Sequence, residues 1–341
     1  THSKLIDKFE KHISLFTKSK YSIATINATS GLHVALKALD IEKNDEVLLG
    51  DLNYIAAANS ILYVGAVPHF VDINLNNLFI DVKKLKKYLD MKTIFKKGKL
   101  TNKKTGRRIK AIIATHIFGK GGEIKELIKI AKKFRLKVLE DASEALGSYY
   151  KNKHLGTFGN LGVLSFNGNK IITTGGGGAI LTNDRRLYKK SFELCTISRK
   201  NKNIWEYDYN RLGYNYRLPG LNASLGISQL KKIKRYLKIK KKIYNHYQKY
   251  FNNSSIFLMK NQKDFDNNNW LNSLFIKESN LNLIKEIILI ASKQKVMLRP
   301  VWKLMHKIKY LRKFPRMNLN NSIIAEKSII TLPSGVDVFK K

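Results

Sequence analysis

Three stretches of the chain hold residues of the right types to act together. In SFNGNKIITTGGGG, Lys170 has few charged neighbours, whereas almost every other lysine of the chain is crowded by them. A free lysine amine near its reference pKa of about 10.4 is a poor nucleophile at neutral pH. Burial and nearby cations lower that value and favour Schiff-base chemistry. The second stretch, LEDASEALGS, carries Asp141 with Glu144 three residues on; a carboxylate there either pairs with a buried cationic heterocycle or caps a turn. The third, NATSGLHVAL, puts Thr29 and Ser30 at the opening of a helical pattern, where free N–H groups and the helix dipole suit a phosphate, unless they form an ordinary N-cap. Ser165 ends a strand-like run shortly before Lys170, and Gly175 to Gly178 follow it. Those glycines let backbone pass close to a ligand, or make a hairpin turn; with no GxxxxGK[ST] they are not a Walker A loop. A phosphate seat, a carboxylate and a secluded lysine are together what pyridoxal phosphate requires: an anchor, a partner for its ring nitrogen and an amine for the Schiff base.

The elements that must carry these residues alternate. Tyr21 to Ile26 reads as a strand, and Leu32, Ala35, Leu36 and Leu39 share one face of a helix over Thr29 to Leu39. Val47 to Leu49, Val67 to Val71, Ala111 to Thr115, Lys137 to Leu139 and Gly162 to Phe166 are further short apolar runs with polar or glycine-bearing exits, and Gly122 to Phe134 fits a helix between two of them. That alternation predicts an α/β fold with a mostly parallel sheet, whose ligands collect at the carboxyl edge. Leu5, Phe9, Ile13 and Phe16 give the start of the chain a helical period rather than a signal-peptide core. Leu230 to about Phe251 reads as one long helix leading into a smaller C-terminal α+β domain. The division is expected near residue 235, with 1–235 forming the large cofactor-binding domain and 236–341 the small one. Lys96 to Lys110 reads as a solvated loop or hairpin rather than a nucleic-acid site.

Composition bounds the class. The 341 residues are 43% hydrophobic and 10% aromatic, which excludes intrinsic disorder. The formal charge of +39 would fit a basic nucleic-acid-binding protein, the non-enzyme alternative. However, the 64 basic residues comprise 52 Lys and only 12 Arg in a chain crowded with Ile and Asn, a mixture that coding bias produces without selection for binding. No specific nucleic-acid partner is expected. Cys195 is the single cysteine, so no disulfide forms within the chain and the thiol is expected to be buried and structural. No stretch approaches the ~20 apolar residues that span a bilayer, so neither membrane insertion nor secretion is expected, and the cytoplasm is the anticipated compartment.

The chain resembles the DegT/DnrJ/EryC1/StrS sugar aminotransferases over nearly its whole length, through NATSGLHVAL, NDEVLLGDLNYIAAANSILYVGAVPHFVDI, THIFG, LEDASEALGS, GTFGNLGVLSFNGNKIITTGGGGAI and GYNYRLPGLNASLGISQL. The resemblance implies the aspartate-aminotransferase type fold (fold type I), pyridoxal 5'-phosphate as cofactor, and transfer of an amino group from an amino acid, most naturally glutamate, to a nucleotide-linked keto sugar. It matches Lys170 to the Schiff-base lysine that also moves the substrate proton, and Asp141 to the partner of the pyridine nitrogen. Glu144 falls where a side chain, often Gln, reaches the ring oxygen, and Tyr54 where an aromatic stacks on the cofactor. Thr29, Ser30 and Ser165 match phosphate ligands. Asn215 matches an asparagine supplied across a dimer interface, which implies a homodimer with shared sites, and His306 is a candidate on the substrate side. Sugar dehydratases of the same fold typically carry His where this chain has Lys170. The NKKTGRRIKAI insert, Trp205 to Tyr207 and LRPVWKLMHK look most like the branch that aminates C4 of a nucleotide-linked 4-keto-6-deoxy-N-acetylhexosamine in legionaminic-acid type synthesis; a GDP-linked or 3-keto sugar is the alternative. Ala28, Gly50 and Asp51 depart from the family's usual Gly, Pro and Ser, and members usually begin earlier, so a preceding segment is expected.

Overall fold

The computed structural model describes residues 2–198, 208–209 and 211–338. Helix α1 (His2–Thr17) leads into β1 (Tyr21–Thr25), α2 (Ala28–Ala38), β2 (Glu46–Gly50), α3 (Ile55–Tyr63) and β3 (Val67–Val71). Next come α4 (Val82–Lys92), a hairpin of β4 (Thr93–Lys96) and β5 (Lys99–Asn102), then β6 (Ile109–Thr115), α5 (Ile124–Lys133) and β7 (Lys137–Asp141). The short β8 (Tyr149–Tyr150) and β9 (Lys153–His154) precede β10 (Leu161–Ser165), β11 (Gly178–Thr182), α6 (Arg185–Cys195), α7 (Gly220–Lys231) and α8 (Ile233–Tyr250). The remaining elements are β12 (Ile256–Leu258), β13 (Phe265–Asp266), β14 (Asn272–Ile276), α9 (Leu281–Lys293), β15 (Arg299–Pro300), α10 (Asn320–Ser328) and β16 (Ile329–Leu332).

Seven strands make the central sheet in the order β1-β11-β10-β7-β6-β2-β3. Only β11 runs against its neighbours, antiparallel to both β1 and β10. Apolar residues fill both faces because helices cover both. Val47, Leu49, Ala111, Ile113, Leu139 and Val163 pack with α2, α3 and α6 on one side, while Leu48, Ile112, Ala114 and Val138 pack with α4 and α5 on the other. This is the period-two alternation of a strand. The same side as α4 and α5 carries α1 and α7, whose Phe9, Ile13, Ala223 and Ile227 join one cluster with Leu164 and Phe166. A second, antiparallel sheet of order β12-β14-β16-β15 packs with Tyr244 of α8 and Ile284 of α9.

Several local readings shift in the structure. α1 buries Phe9 and Ile13 and packs Phe16 on the core, but at its start Ile6 is buried and Leu5 exposed, so only the first position of the expected period differs. The long helix expected from Leu230 is two: Lys232 ends α7 and begins α8, its amide turning back to Gln229 and Leu230. The β11 strand, GAILT, escapes a reading of periodicity because it opens on the last residue of a glycine run and carries only three consecutive apolar residues. Within Lys96 to Lys110 the hairpin turns on Lys97 and Gly98, both at positive φ (47° and 73°), as two-residue hairpin loops favour. Cys195 is buried in α6, and burial pushes its thiol up to about 12. No described helix is long and apolar enough to cross a membrane.

Candidate active site

The carboxyl edge of the sheet gathers strand ends that lie far apart in sequence. β1 exits to Asn27, Ala28 and Thr29; β2 to Asn53 and Tyr54; β6 ends at Thr115, β7 at Asp141 and β10 at Ser165. Because β11 runs the other way, it enters at this edge, behind Gly176 and Gly177. Between these ends lies a cavity of about 340 Å³ whose lining includes Thr29, Tyr54, Asp141, Glu144, Ser165 and Lys170. Six of the nine site residues named from the sequence therefore meet at one place. Ser30, Asn215 and His306 are not in that lining.

Lys170 sits in the connection between β10 and β11, which is closed at its base by Phe166 N donating to Gly177 O (2.9 Å) and Thr174 N to Phe166 O (3.0 Å). Its side chain is 13% exposed, with Nζ 3.2 Å from Glu144 Oε1 and 3.7 Å from the centroid of the Trp270 ring. The indole is fixed in turn, because Trp270 Nε1 donates to Asn169 O at 2.7 Å. Two glycines let the connection close. A Cβ at Gly177 would lie 2.2 Å from Thr174 Oγ1, and one at Gly178 would lie 2.8 Å from Ala28 N, at the start of α2.

Both carboxylates facing the cavity are buried, and they differ in how fully they are engaged. Asp141 Oδ1 accepts from Ser143 N at 3.2 Å. Burial pushes its pKa up, only partly offset by the Ser143 hydrogen bonds and the charges of Lys170 and His116. Glu144 Oε2 accepts from Phe118 N at 2.7 Å; burial raises its pKa against the pull of Lys170 and that amide. Of the two, Asp141 gains most from a cationic N–H brought in by a ligand, because Glu144 already has Lys170 on one oxygen and Phe118 N on the other.

At the other end of the cavity, Asn27 caps α2 by accepting from Ser30 N (2.7 Å), and the first-turn N–H groups around Ala28 and Thr29 have no acceptor within the helix. Ser30 thus carries part of the cap, and its backbone rather than its hydroxyl is engaged there. Ser165 Oγ stands at the end of β10, 3.4 Å from Asn167 N. Helix terminus, hydroxyls, buried carboxylate and near-buried amine fit pyridoxal phosphate end to end.

Tyr54 is 54% exposed at the rim and meets Trp302 edge-on at 6.1 Å between centroids. Asn215 is exposed, in an isolated bridge with Thr196. His306 pairs with buried Asp51, Nδ1 to Oδ2 at 2.7 Å. Trp205 to Tyr207 lie outside the described residues. Reasoning from sequence missed Asn53, Thr115, Trp270 and Trp302. Asn53 Nδ2 donates to Thr115 Oγ1 at 2.7 Å, and the strand exit after Ala111 was a legible signal for Thr115; Trp270 gave none.

Comparison with known proteins agrees with this geometry. Residues 1–341 match the DegT/DnrJ/EryC1/StrS aminotransferase family. GDP-perosamine synthase of Escherichia coli O157:H7 is 34% identical over 276 residues, 80% of this chain and 70% of that enzyme. The UDP-4-amino-4,6-dideoxy-N-acetyl-beta-L-altrosamine transaminase of Campylobacter jejuni (strain 81-176) is 36% identical over 265 residues, 78% of this chain and 66% of that enzyme. Helicobacter pylori PseC, an aminotransferase involved in pseudoaminic acid biosynthesis, superposes with a TM-score of 0.87 at 26% identity, covering 98% of this chain and 86% of that one.

Proposed function

This chain belongs to the DegT/DnrJ/EryC1/StrS aminotransferase family, and from that premise we propose that it moves an amino group from glutamate to C4 of a UDP-linked 4-keto-6-deoxy-N-acetylhexosamine, in the synthesis of a legionaminic-type surface sugar. That it is a pyridoxal-phosphate-dependent nucleotide-sugar aminotransferase of aspartate-aminotransferase type fold is the coarser fact. The observation that carries the residue roles is the convergence of Lys170, Asp141, Glu144, Ser165, Thr29 and Tyr54 on one cavity.

When bound, the cofactor supplies an electron sink for breaking and making the C–H bond beside nitrogen. Lys170 Nζ, 13% exposed in the cavity, would hold the cofactor's aldehyde carbon and would move the substrate proton. Asp141 would pair with the ring nitrogen, and Glu144, which orients Lys170, would reach the ring oxygen. Thr29, Ser30 and Ser165 would hold the phosphate, with Ser30 acting through the α2 cap, and Tyr54 would supply an aromatic contact to the ring. Asn215, exposed and not among the residues that line the cavity of its own chain, is assigned to the site of a second protomer, which makes the working unit a homodimer in the cytoplasm.

Lys170→Ala should abolish both turnover and the long-wavelength absorbance of bound cofactor; retention of both refutes the assignment. A second reading, amination of a GDP-linked ketone, is supported by the 34% identity to GDP-perosamine synthase. Assays of the same preparation on UDP-linked and GDP-linked 4-keto sugars separate the two by their kcat/KM values.

A further inference from the structure

One hydrogen-bonded Asp–His pair beside the cavity has no part in the roles above. Asp51 follows the last residue of β2, is wholly buried, and receives three contacts from a single turn of the C-terminal part of the chain. Met305 N donates to Asp51 O at 3.0 Å, His306 N to Asp51 Oδ1 at 2.9 Å, and His306 Nδ1 lies 2.7 Å from Asp51 Oδ2. Both segments joined by this contact run directly into the site. Two residues after Asp51, Asn53 ties itself to Thr115, and Tyr54 follows at the rim; four residues before His306, Trp302 lines the cavity. Trp302 touches Tyr54 edge-on and lies 5.3 Å from the Phe118 ring.

We propose that Asp51 and His306 form a latch that positions Trp302 against Tyr54 and so shapes the part of the cavity used by the nucleotide sugar. They are positioning residues, and His306 acts through Asp51 rather than by touching substrate. The two substrates differ in reach. A small amino acid reacts deep in the cavity beside Lys170, whereas a nucleotide sugar must extend past the rim where the two aromatics meet. A misplaced Trp302 therefore burdens the keto-sugar half-reaction and spares the amino-acid half. The inference rests on the aminotransferase reading above.

Asparagine decides between positioning and contact, because its Nδ2 can stand in for the histidine Nδ1 toward Asp51 but cannot replace the outer ring nitrogen. In the cofactor-free chain, hydrogen exchange over 301–308 should quicken in His306→Ala and Asp51→Asn and stay near wild type in His306→Asn. In the loaded enzyme, single-turnover measurements of His306→Ala should show the keto-sugar half-reaction falling by about 10- to 100-fold, chiefly through KM, the amino-acid half by less than about threefold, and recovery in His306→Asn. Equal losses in both halves overturn the latch, as does no loss, or an asparagine variant as impaired as alanine. Should wild type itself take up no pyridoxal phosphate or aminate no keto sugar, the functional reading fails while the exchange data still decide whether the pair holds the segment.

Discussion

Glu140 and Asp141 are consecutive residues of β7, facing opposite sides of the sheet, and the fold treats them in opposite ways. Glu140 is saturated: Oε2 accepts from His116 Nε2 (2.9 Å) and Gly156 N (2.8 Å), and Oε1 from Phe158 N (2.6 Å) and Gly159 N (2.7 Å). Burial works to raise its pKa, but His116 and the Gly159 and Gly156 amides outweigh it and hold the carboxyl below its ordinary range. Asp141, equally buried, faces the cavity with the Ser143 amide on one oxygen, and burial prevails. Burial of a carboxylate is therefore a poor mark of function here. Spare acceptor capacity aimed into a cavity is the better one.

The largest effect should come from breaking the saturated side. Glu140→Ala strands the His116 ring, the buried Gly156 amide and the part-buried Phe158 and Gly159 amides, and is expected to lower unfolding free energy by ~3–5 kcal/mol in a denaturant titration. A loss below ~1 kcal/mol would mean that the loop from Gly156 to Gly159 is held by something else, and the contrast with Asp141 would dissolve.

Asp141→Asn tests the other side and should separate stability from function. Cofactor affinity is expected to fall by about 10- to 100-fold, the worth of one hydrogen bond to a charged group (~1.5–3 kcal/mol), while the cofactor-free chain loses no stability. Their pH dependence sharpens the contrast. A carboxyl with a raised folded pKa contributes stability that is fully present below its unfolded value and lost as pH rises through the folded one, so Asp141 weighs against the empty fold near neutrality. Glu140 contributes above its unfolded value and loses that contribution as pH falls through the lowered folded one. Relative to wild type, the cofactor-free Asp141→Asn protein should thus gain stability as pH climbs above 3.8, the ordinary aspartate value. The deficit of Glu140→Ala should shrink as pH drops below 4.5, the ordinary glutamate value. Parallel denaturation midpoints for both variants across that range would defeat the idea that the two carboxyls are held differently.

What was legible in the sequence was local. Val67 to Val71 is a strand with those bounds, and the run ending at Thr115 differs from the observed Ile109–Thr115 only at its start. Strand exits then located Asp141, Ser165 and the start of α2, because a parallel sheet brings all such exits to one edge. Contacts across long separations were not legible. Trp270 reaches Asn169 and Asp51 reaches His306 through folding that periodicity, which speaks only over a few turns, does not encode. The shift from Leu5 to Ile6 in α1 is the same limit on a smaller scale: both lie within the helical period, and tertiary packing against Phe166 and α7 picks the stripe.

The smallest effect is expected at Glu144, which stands between the two extremes: buried like Glu140, lining the cavity like Asp141, and engaged on both oxygens, by Phe118 N and Lys170 Nζ. A neutral amide can still accept from the Phe118 backbone through its oxygen, so Glu144→Gln keeps the turn at Phe118 in place and loses only the charge beside Lys170. Removing a carboxyl whose pKa is already raised by burial relieves rather than adds strain in the cofactor-free fold. Denaturation midpoints should therefore stay within ~1 kcal/mol of wild type or improve, and kcat should change by less than about tenfold. A loss of turnover as deep as that of Asp141→Asn would move Glu144 from a residue that orients Lys170 to one whose charge is required, and spare acceptor capacity would cease to be what separates the functional carboxylates from the structural one.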